Sequence, residues 1–147
     1  MSLKLSTGLR DYFLATGSFR AALDNGEIHL YAGPEPLSVD SALAGANTLL
    51  CVIKTDVAAG LTFEAVPVGG TLTKKLSEIW QGTVLATGIA TFYRYEKSGD
   101  TGVGSTTAIR VQGGIGIAGA DMNLSNTSLV NGAIQRLEAF SVAFPES

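Results

Sequence analysis

The sequence predicts an all-β protein, an antiparallel and jelly-roll-like β-sandwich preceded by a short N-terminal helical segment. Three observations lead to this fold class. After residue 26 the chain reads as short β-prone runs separated by turn residues at intervals of roughly 8–12 residues. Its 18 Gly and 4 Pro are spread through 147 residues, and no alternation of strand and helix patterns follows residue 26. The length suits one domain, which we divide into a helical segment, residues 1–26, and a β-sandwich, residues 27–147.

The first quarter of the chain carries the spacing of an amphipathic helix. Its apolar residues fall at i, i+4, i+7 and i+8 and are Leu5, Leu9, Tyr12 and Phe13. Ser6 or Thr7 can cap the start of this helix, and Gly17 can end it. Ser18 can cap a second short turn, which Asn25-Gly26 stops. The pattern predicts two short helices or one kinked helix.

The strands begin immediately afterwards. Glu27–Ala32 alternates apolar and polar residues and is ended by Gly33–Pro36, since proline cannot donate to a strand ladder. Thr48–Thr55 is apolar on both alternations, which predicts a central strand covered on both faces. Leu61–Val66 predicts a short strand.

The second half of the chain continues the same pattern. Its predicted segments are, in order, Lys75–Gln81, Thr83–Ala86, Ile89–Lys97, Thr106–Gln112, the short polar run Asp121–Leu129, and Ala133–Phe144. Ile89–Lys97 and Thr106–Gln112 predict a hairpin joined through the turn residues of Ser98–Gly102. In the last strand the apolar phase shifts between Leu137 and Phe140, which predicts a β-bulge.

No catalytic set is visible in the sequence. The single histidine, His29, lies in a predicted strand beside Glu27 and Tyr31, which is typical of a solvated or interface residue and not of a Ser-His-Asp triad. One His and one Cys cannot supply the usual ligands of zinc, and Cys51 lies in an apolar run as a buried, inert thiol. No carboxylate spacing selects a glycosidase pair. We therefore expect neither an enzyme nor a cofactor.

One stretch matches a nucleotide-binding motif in its letters. Gly114–Gly119 reads G-x-G-x-x-G, but a dinucleotide site needs a helix to open at the third glycine. Asn and Ser follow instead, so the sequence favours a bend between strands.

Composition bounds the classes of partner. The net charge is −3 and Lys74-Lys75 is the only adjacent basic pair, which excludes a nucleic-acid footprint. No stretch approaches the roughly 18 apolar residues of a membrane span, and the first residues lack the core of a signal peptide. We therefore expect no membrane partner and folding in a reducing cytoplasm. Only 16% of the residues are charged, which favours packing against other subunits.

Two groups of apolar residues are candidates for such contacts. The helical stripe can anchor either the core or a neighbouring subunit, and Tyr93 and Tyr95 share one strand face that can serve either purpose. The candidate contact residues are therefore Leu5, Leu9, Tyr12, Phe13, Tyr93 and Tyr95. An alternative interpretation is a carbohydrate-binding face formed by Tyr31, Tyr93 and Tyr95.

Several blocks resemble a known group of proteins. They are Leu5–Arg10, Gly17–Leu23, Tyr31–Gly33 with Pro34–Pro36, Ser105–Arg110, and Gly119–Ser125 with the terminal strand. Together they are similar to small virion proteins encoded by tailed bacteriophages and prophages.

The resemblance implies a structural protein of a phage particle, without catalytic residues or cofactor. Within that group a β-sandwich of this size is similar to capsid decoration (cement) proteins, which form trimers or dimers on the shell and clamp neighbouring capsomers. The implied partners are other copies of the chain and the major capsid protein or another virion protein. The implied location is the virion, assembled in the bacterial host cytoplasm. The alternatives are a collar, head–tail or tail-associated subunit, or a carbohydrate-binding module.

Overall fold

The structure is a computed structural model, and it describes residues 3–143. A short strand, β1 (Lys4–Leu5), precedes two helices, α1 (Thr7–Ala15) and α2 (Phe19–Leu23). The Ser6 hydroxyl caps α1 by accepting the Leu9 N–H at 3.1 Å, and the Ser18 hydroxyl caps α2 in the same way. Of the predicted alternatives, the structure has two short helices and not one kinked helix, and Ser6 rather than Thr7 caps the first.

The remaining elements are strands. They are β2 (Gly26–Ala32), β3 (Thr48–Thr55), β4 (Thr71–Thr73), β5 (Trp80–Thr83), β6 (Gly88–Ile89), β7 (Phe92–Lys97), β8 (Arg110–Gly116), β9 (Met122–Asn123), β10 (Ser128–Leu129), β11 (Ile134–Leu137) and β12 (Ser141–Ala143). The main sheet has the order β1-β8-β7-β2-β3-β5-β11, with β9 also paired to β8. Two small sheets, β4–β12 and β6–β10, complete the fold. The protein is mostly β with antiparallel sheets, as predicted, and only the short β8–β9 pair is parallel among the described strands.

The core lies between one face of the main sheet, the two helices and the β4–β12 pair. Phe140 is at its centre, where its ring meets Tyr93 edge-on at 5.7 Å and stacks on Tyr95 at 6.3 Å. Leu9 and Leu23 bring both helices into the same cluster. Burial of these aromatic and aliphatic side chains is the main stabilising term for a fold whose strands are this short.

Several predicted strands differ from the observed ones. Leu61–Val66 forms only isolated bridges through Leu61 and Phe63. Within Lys75–Gln81 the strand begins at Trp80, because the preceding residues turn back through a hydrogen bond from Glu78 N–H to the Lys75 carbonyl.

The predicted boundaries around the central hairpin also shift. Ile89–Lys97 is divided into β6 and β7, and the hairpin of β7 with β8 is confirmed. The glycine-rich run predicted as a bend instead continues β8 as far as Gly116, and the turn follows it. Glycine at 113 is required there, because a Cβ atom would lie 2.8 Å from Asp121 Cβ.

The predicted long strand Ala133–Phe144 is two strands. β11 pairs with β5, whereas β12 pairs with β4 in a different sheet. The phase shift between Leu137 and Phe140 therefore marks the crossing from one sheet to another, and the predicted bulge there is wrong. A register shift occurs instead in the β2–β3 pair, between Leu30 and Tyr31. Phe144 lies outside the described residues.

Candidate functional site

Three central strands carry polar residues on the face opposite the core. These side chains are Glu27, His29 and Tyr31 of β2, Arg94 and Glu96 of β7, and Arg110 and Gln112 of β8. The strand register aligns six of them in two cross-strand rows, Glu27–Glu96–Arg110 and His29–Arg94–Gln112. All are buried. We call this set the ionic layer.

The segment between β2 and β3, residues 33–47, covers one part of the ionic layer. Arg94 donates from Nη2 to the Ser41 carbonyl at 2.8 Å, and Arg110 donates from Nη1 to the Val39 carbonyl at 3.2 Å. These charged side chains replace the backbone partners that an irregular segment lacks. The ionic layer therefore fixes the path of a long connection that has no strand of its own.

The segment between β7 and β8, residues 98–109, is held in a similar way. Arg110 bonds both carboxylate oxygens of Asp100 and also the Val103 carbonyl. Burial raises the pKa of Asp100, but the hydrogen bonds from Arg110 and from Gly102 N–H outweigh it and lower the pKa to about 2.

His29 lies between two carboxylates of the ionic layer. Its Nε2 is 2.8 Å from Glu27 Oε1, and its Nδ1 is 3.1 Å from Glu96 Oε1. Only an imidazolium donates from both ring nitrogens, so this geometry favours the protonated ring. Burial lowers the pKa of His29, but hydrogen bonds and charge from Glu96 and then Glu27 outweigh burial and raise it. The expectation of a solvated histidine is therefore wrong, because His29 is buried between two carboxylates of its own chain.

Glu27 and His29 also form the floor of an open cleft of about 440 Å³. Its walls come from β3, β5 and β11 and include Lys54, whose Nζ is 3.4 Å from Glu27 Oε2. While His29 is protonated, both ring nitrogens are donors that face carboxylates, and the ring offers no lone pair to a ligand in the cleft. In that protonation state Glu27 and His29 form an ion-paired floor of the cleft.

Other residues with possible chemistry are structural. Cys51 is fully buried, and burial raises the pKa of its thiol to about 11, as expected of an inert cysteine. Within residues 3–143 no group of three or more His, Cys, Asp or Glu side chains is arranged to hold a metal ion. None of the described helices has the length and apolar character needed to cross a bilayer.

The structure divides the candidate contact residues. Leu9, Tyr93 and Tyr95 are fully buried in the core of the same chain, so their side chains offer no surface to a partner. The sequence left core and contact open for these three, and burial decides for the core. Leu5 and Tyr12 are half-buried, and Phe13 is 42% exposed.

The aromatic face of the carbohydrate alternative is also absent from the surface. Tyr31 is buried, and its ring stacks on Phe92 with centroids 5.1 Å apart. With Tyr93 and Tyr95 in the core, none of the three rings presents a face on which a sugar could stack.

Exposed aliphatic residues that the sequence did not indicate lie on β6, on β11 and on the segments next to β5 and β10. Four aliphatic side chains there are between 55% and 61% exposed: Leu85, Ile89, Val130 and Ile134. Hydrogen bonds between Val84 N–H and the Ala133 carbonyl, and between Asn131 N–H and Thr87 Oγ1, bring their segments together. We call these four residues the apolar patch. Its halves are some 45 positions apart in sequence, so no local pattern reveals it.

The ionic layer, by contrast, left a signal in the sequence. In β7 the polar residues Arg94 and Glu96 alternate with Tyr93 and Tyr95, which predicts a two-faced strand. That alternation is also typical of a face open to water.

In comparisons with known proteins, no family model, curated protein or solved structure matches the chain.

Proposed function

We propose that the protein is a structural virion protein of a tailed phage, a capsid decoration protein that binds the assembled shell and stabilises contacts between capsomers. The resemblance of its sequence blocks to small virion proteins supports this role. The chain acts as a homo-oligomer, a trimer or a dimer, with the major capsid protein or another virion protein as its partner.

The observation that carries the proposal is the apolar patch. Aliphatic side chains that remain more than half exposed on adjacent segments are typical of a protein–protein contact. Burying about 100 Å² of such surface contributes roughly 2.5 kcal/mol, and repetition around a symmetric particle multiplies weak contacts into firm attachment. A decoration protein needs a contact of this kind and no catalytic group.

The ionic layer supplies the second requirement, a rigid body. Arginine side chains at the centre of the sheet hold both long connections to it. We further propose that the fold is a jelly-roll-like sandwich, in which β4–β12 forms part of the second layer. Phe140, packed between Trp80 and Tyr95, supports a two-layer core.

A sedimentation experiment with phage shells that lack the protein tests the role. The wild-type chain should co-sediment with shells, and Ile134→Asp in the apolar patch should abolish co-sedimentation without changing the urea midpoint. Leu37→Asp is the matched control, since Leu37 is 94% exposed but belongs to the connection between β2 and β3. Shell binding by Ile134→Asp equal to that of wild type would contradict the proposed contact.

Electron cryomicroscopy of whole particles tests the position. Density on the shell surface at many copies per particle is expected. Density confined to a collar, a head–tail joint or the tail would instead assign the protein to those structures. Analytical ultracentrifugation of the free chain measures whether it is a trimer or a dimer.

A further inference from the structure

The two carboxylates that bind His29 differ in how freely they can move. Glu96 is fully buried, and its Oε1 receives Nδ1 of His29 at 3.1 Å and the Tyr31 hydroxyl at 3.3 Å. Its Oε2 has no hydrogen-bond partner, and Arg110 Nε is 3.9 Å away. Loss of the bond from His29 would leave Glu96 as a poorly compensated buried charge, which is strongly destabilising.

Glu27 has an alternative. It lines the open cleft, and its second oxygen already lies 3.4 Å from Lys54 Nζ, a side chain that is itself partly exposed. Rotation of Glu27 towards Lys54 and water therefore keeps its charge solvated and paired. Val52, opposite His29 on β3, carries no charge that would oppose this movement.

The other charged groups around His29 keep their own partners in either state. Arg94, opposite His29 on β7, bonds Gln112 and the Ser41 carbonyl. Arg110 is bound to Asp100 through two hydrogen bonds. The pKa of His29 is therefore lowered by burial and raised by Glu96 and Glu27, which outweigh burial.

From these contacts we propose that the protonation state of His29 controls the position of the Glu27 side chain. We call this coupling the latch. While both ring nitrogens carry protons, Nε2 holds the Glu27 carboxylate against the sheet. Nδ1 lies 3.1 Å from Glu96 Oε1 and 3.2 Å from the Tyr31 hydroxyl, which itself donates to Glu96 at 3.3 Å. When one proton leaves, it leaves from Nε2, because the buried Glu96 then keeps both donors, Nδ1–H and the Tyr31 hydroxyl. The Nε2 lone pair then faces Glu27 Oε1 at a distance where two acceptors repel each other, and Glu27 turns into the cleft.

The latch changes the floor of the cleft without unfolding the protein. In the protonated state the floor is an ion pair, and in the deprotonated state it presents a free carboxylate beside an unprotonated ring nitrogen. This inference is independent of the proposed virion role, because it rests only on contacts within the chain.

Nuclear magnetic resonance of the full-length chain, labelled with ¹⁵N and ¹³C, tests the latch. The single histidine makes the ring nitrogen signals unambiguous. As pH rises, Nε2 should lose its proton while Nδ1 remains protonated, and the Glu27 carboxyl carbon should shift with the same midpoint. The Glu96 carboxyl carbon should shift much less. Loss of the proton from Nδ1, or a Glu27 signal that does not follow the histidine, would overturn the proposal.

A substitution of Glu27 tests the same coupling through its effect on the titration of His29. Glu27→Gln preserves the size of the side chain but removes its charge, so the His29 midpoint should move to lower pH by about one pH unit. Glu138→Gln, at an exposed glutamate outside the ionic layer, should leave the midpoint unchanged. Equal midpoints for wild type and Glu27→Gln would sink the latch, and the wild-type titration decides the question if this variant fails to fold.

Discussion

Arg110 binds Asp100 through two hydrogen bonds, Nε to Oδ2 at 2.7 Å and Nη2 to Oδ1 at 2.8 Å. The two residues lie at opposite ends of the connection between β7 and β8, so the pair closes that connection onto the sheet. The side chain of Arg110 is almost completely buried, so Asp100 and not water compensates its positive charge.

Asp100→Asn should therefore destabilise the protein by about 3 kcal/mol, because it leaves a buried guanidinium without its bidentate partner. Urea unfolding at neutral pH measures the change. Asp11→Asn, at an exposed aspartate of α1, should change the free energy of unfolding by less than about 0.5 kcal/mol. Similar values for both variants would show that the Arg110–Asp100 pair contributes little.

The same pair predicts behaviour in acid. Because the folded-state pKa of Asp100 is lowered to about 2, its contribution is complete above the unfolded pKa of about 3.9 and is lost as pH falls towards 2. Stability measured from pH 5 down to pH 2 should therefore fall less steeply in Asp100→Asn than in wild type. Parallel curves would contradict the assignment.

For His29 we expect the opposite trend, a stability that falls as pH rises near neutrality. Its folded-state pKa is raised, so its stabilising contribution is complete below the unfolded pKa of about 6.5 and is lost as pH rises through the folded value. The free energy of unfolding should fall as pH rises above about 6.5, and His29→Gln should remove this slope. The thiol of Cys51 titrates above this window and does not interfere. A slope that persists in His29→Gln would assign it to another group.

Two leucines of α1 test the division between core and surface. Leu9 is fully buried, so Leu9→Ala should cost about 3 kcal/mol through lost burial and the cavity it leaves. Leu14, in the same helix, is 83% exposed, and Leu14→Ala should change stability by less than about 0.5 kcal/mol. Thermal or urea unfolding distinguishes them. A stable Leu9→Ala with altered oligomeric state would return Leu9 to the subunit contacts.

Gly82 tests how closely β5 approaches β3. A Cβ atom at this position would lie 2.0 Å from the Val52 carbonyl oxygen, so Gly82→Ala forces backbone apart and should cost about 3 kcal/mol or more. Gly45→Ala is the control, since no atom lies within 4 Å of its added Cβ. Equal stability of the two variants would mean that the β3–β5 contact adapts without cost.

Local sequence patterns predicted the elements that depend on neighbours in the chain. The serine caps of both helices were predicted because a hydroxyl three residues before its N–H partner is a local arrangement. The bounds of β3 were predicted from apolar residues on both alternations, which a central strand requires. The hairpin of β7 and β8 followed from the turn residues between them.

Local sequence patterns did not predict features that depend on residues distant in sequence. Whether Leu9 packs inward or anchors a neighbour depends on what covers the helix, and the helix sequence is the same in both cases. The division of the terminal segment into β11 and β12 depends on β5 and β4, more than 50 positions earlier. Alternation along one strand identified a polar face but did not show that two connections cover it.

The sequence by itself thus determined a β-rich fold with capped N-terminal helices, the bounds of β3 and the β7–β8 hairpin, because periodicity, capping and turn residues act over a few residues. Only the tertiary structure decided that His29 is buried between Glu27 and Glu96, since that position requires register across strands. It also decided which apolar side chains remain exposed. Burial depends on which segments cover one another, and that is a property of the folded chain as a whole.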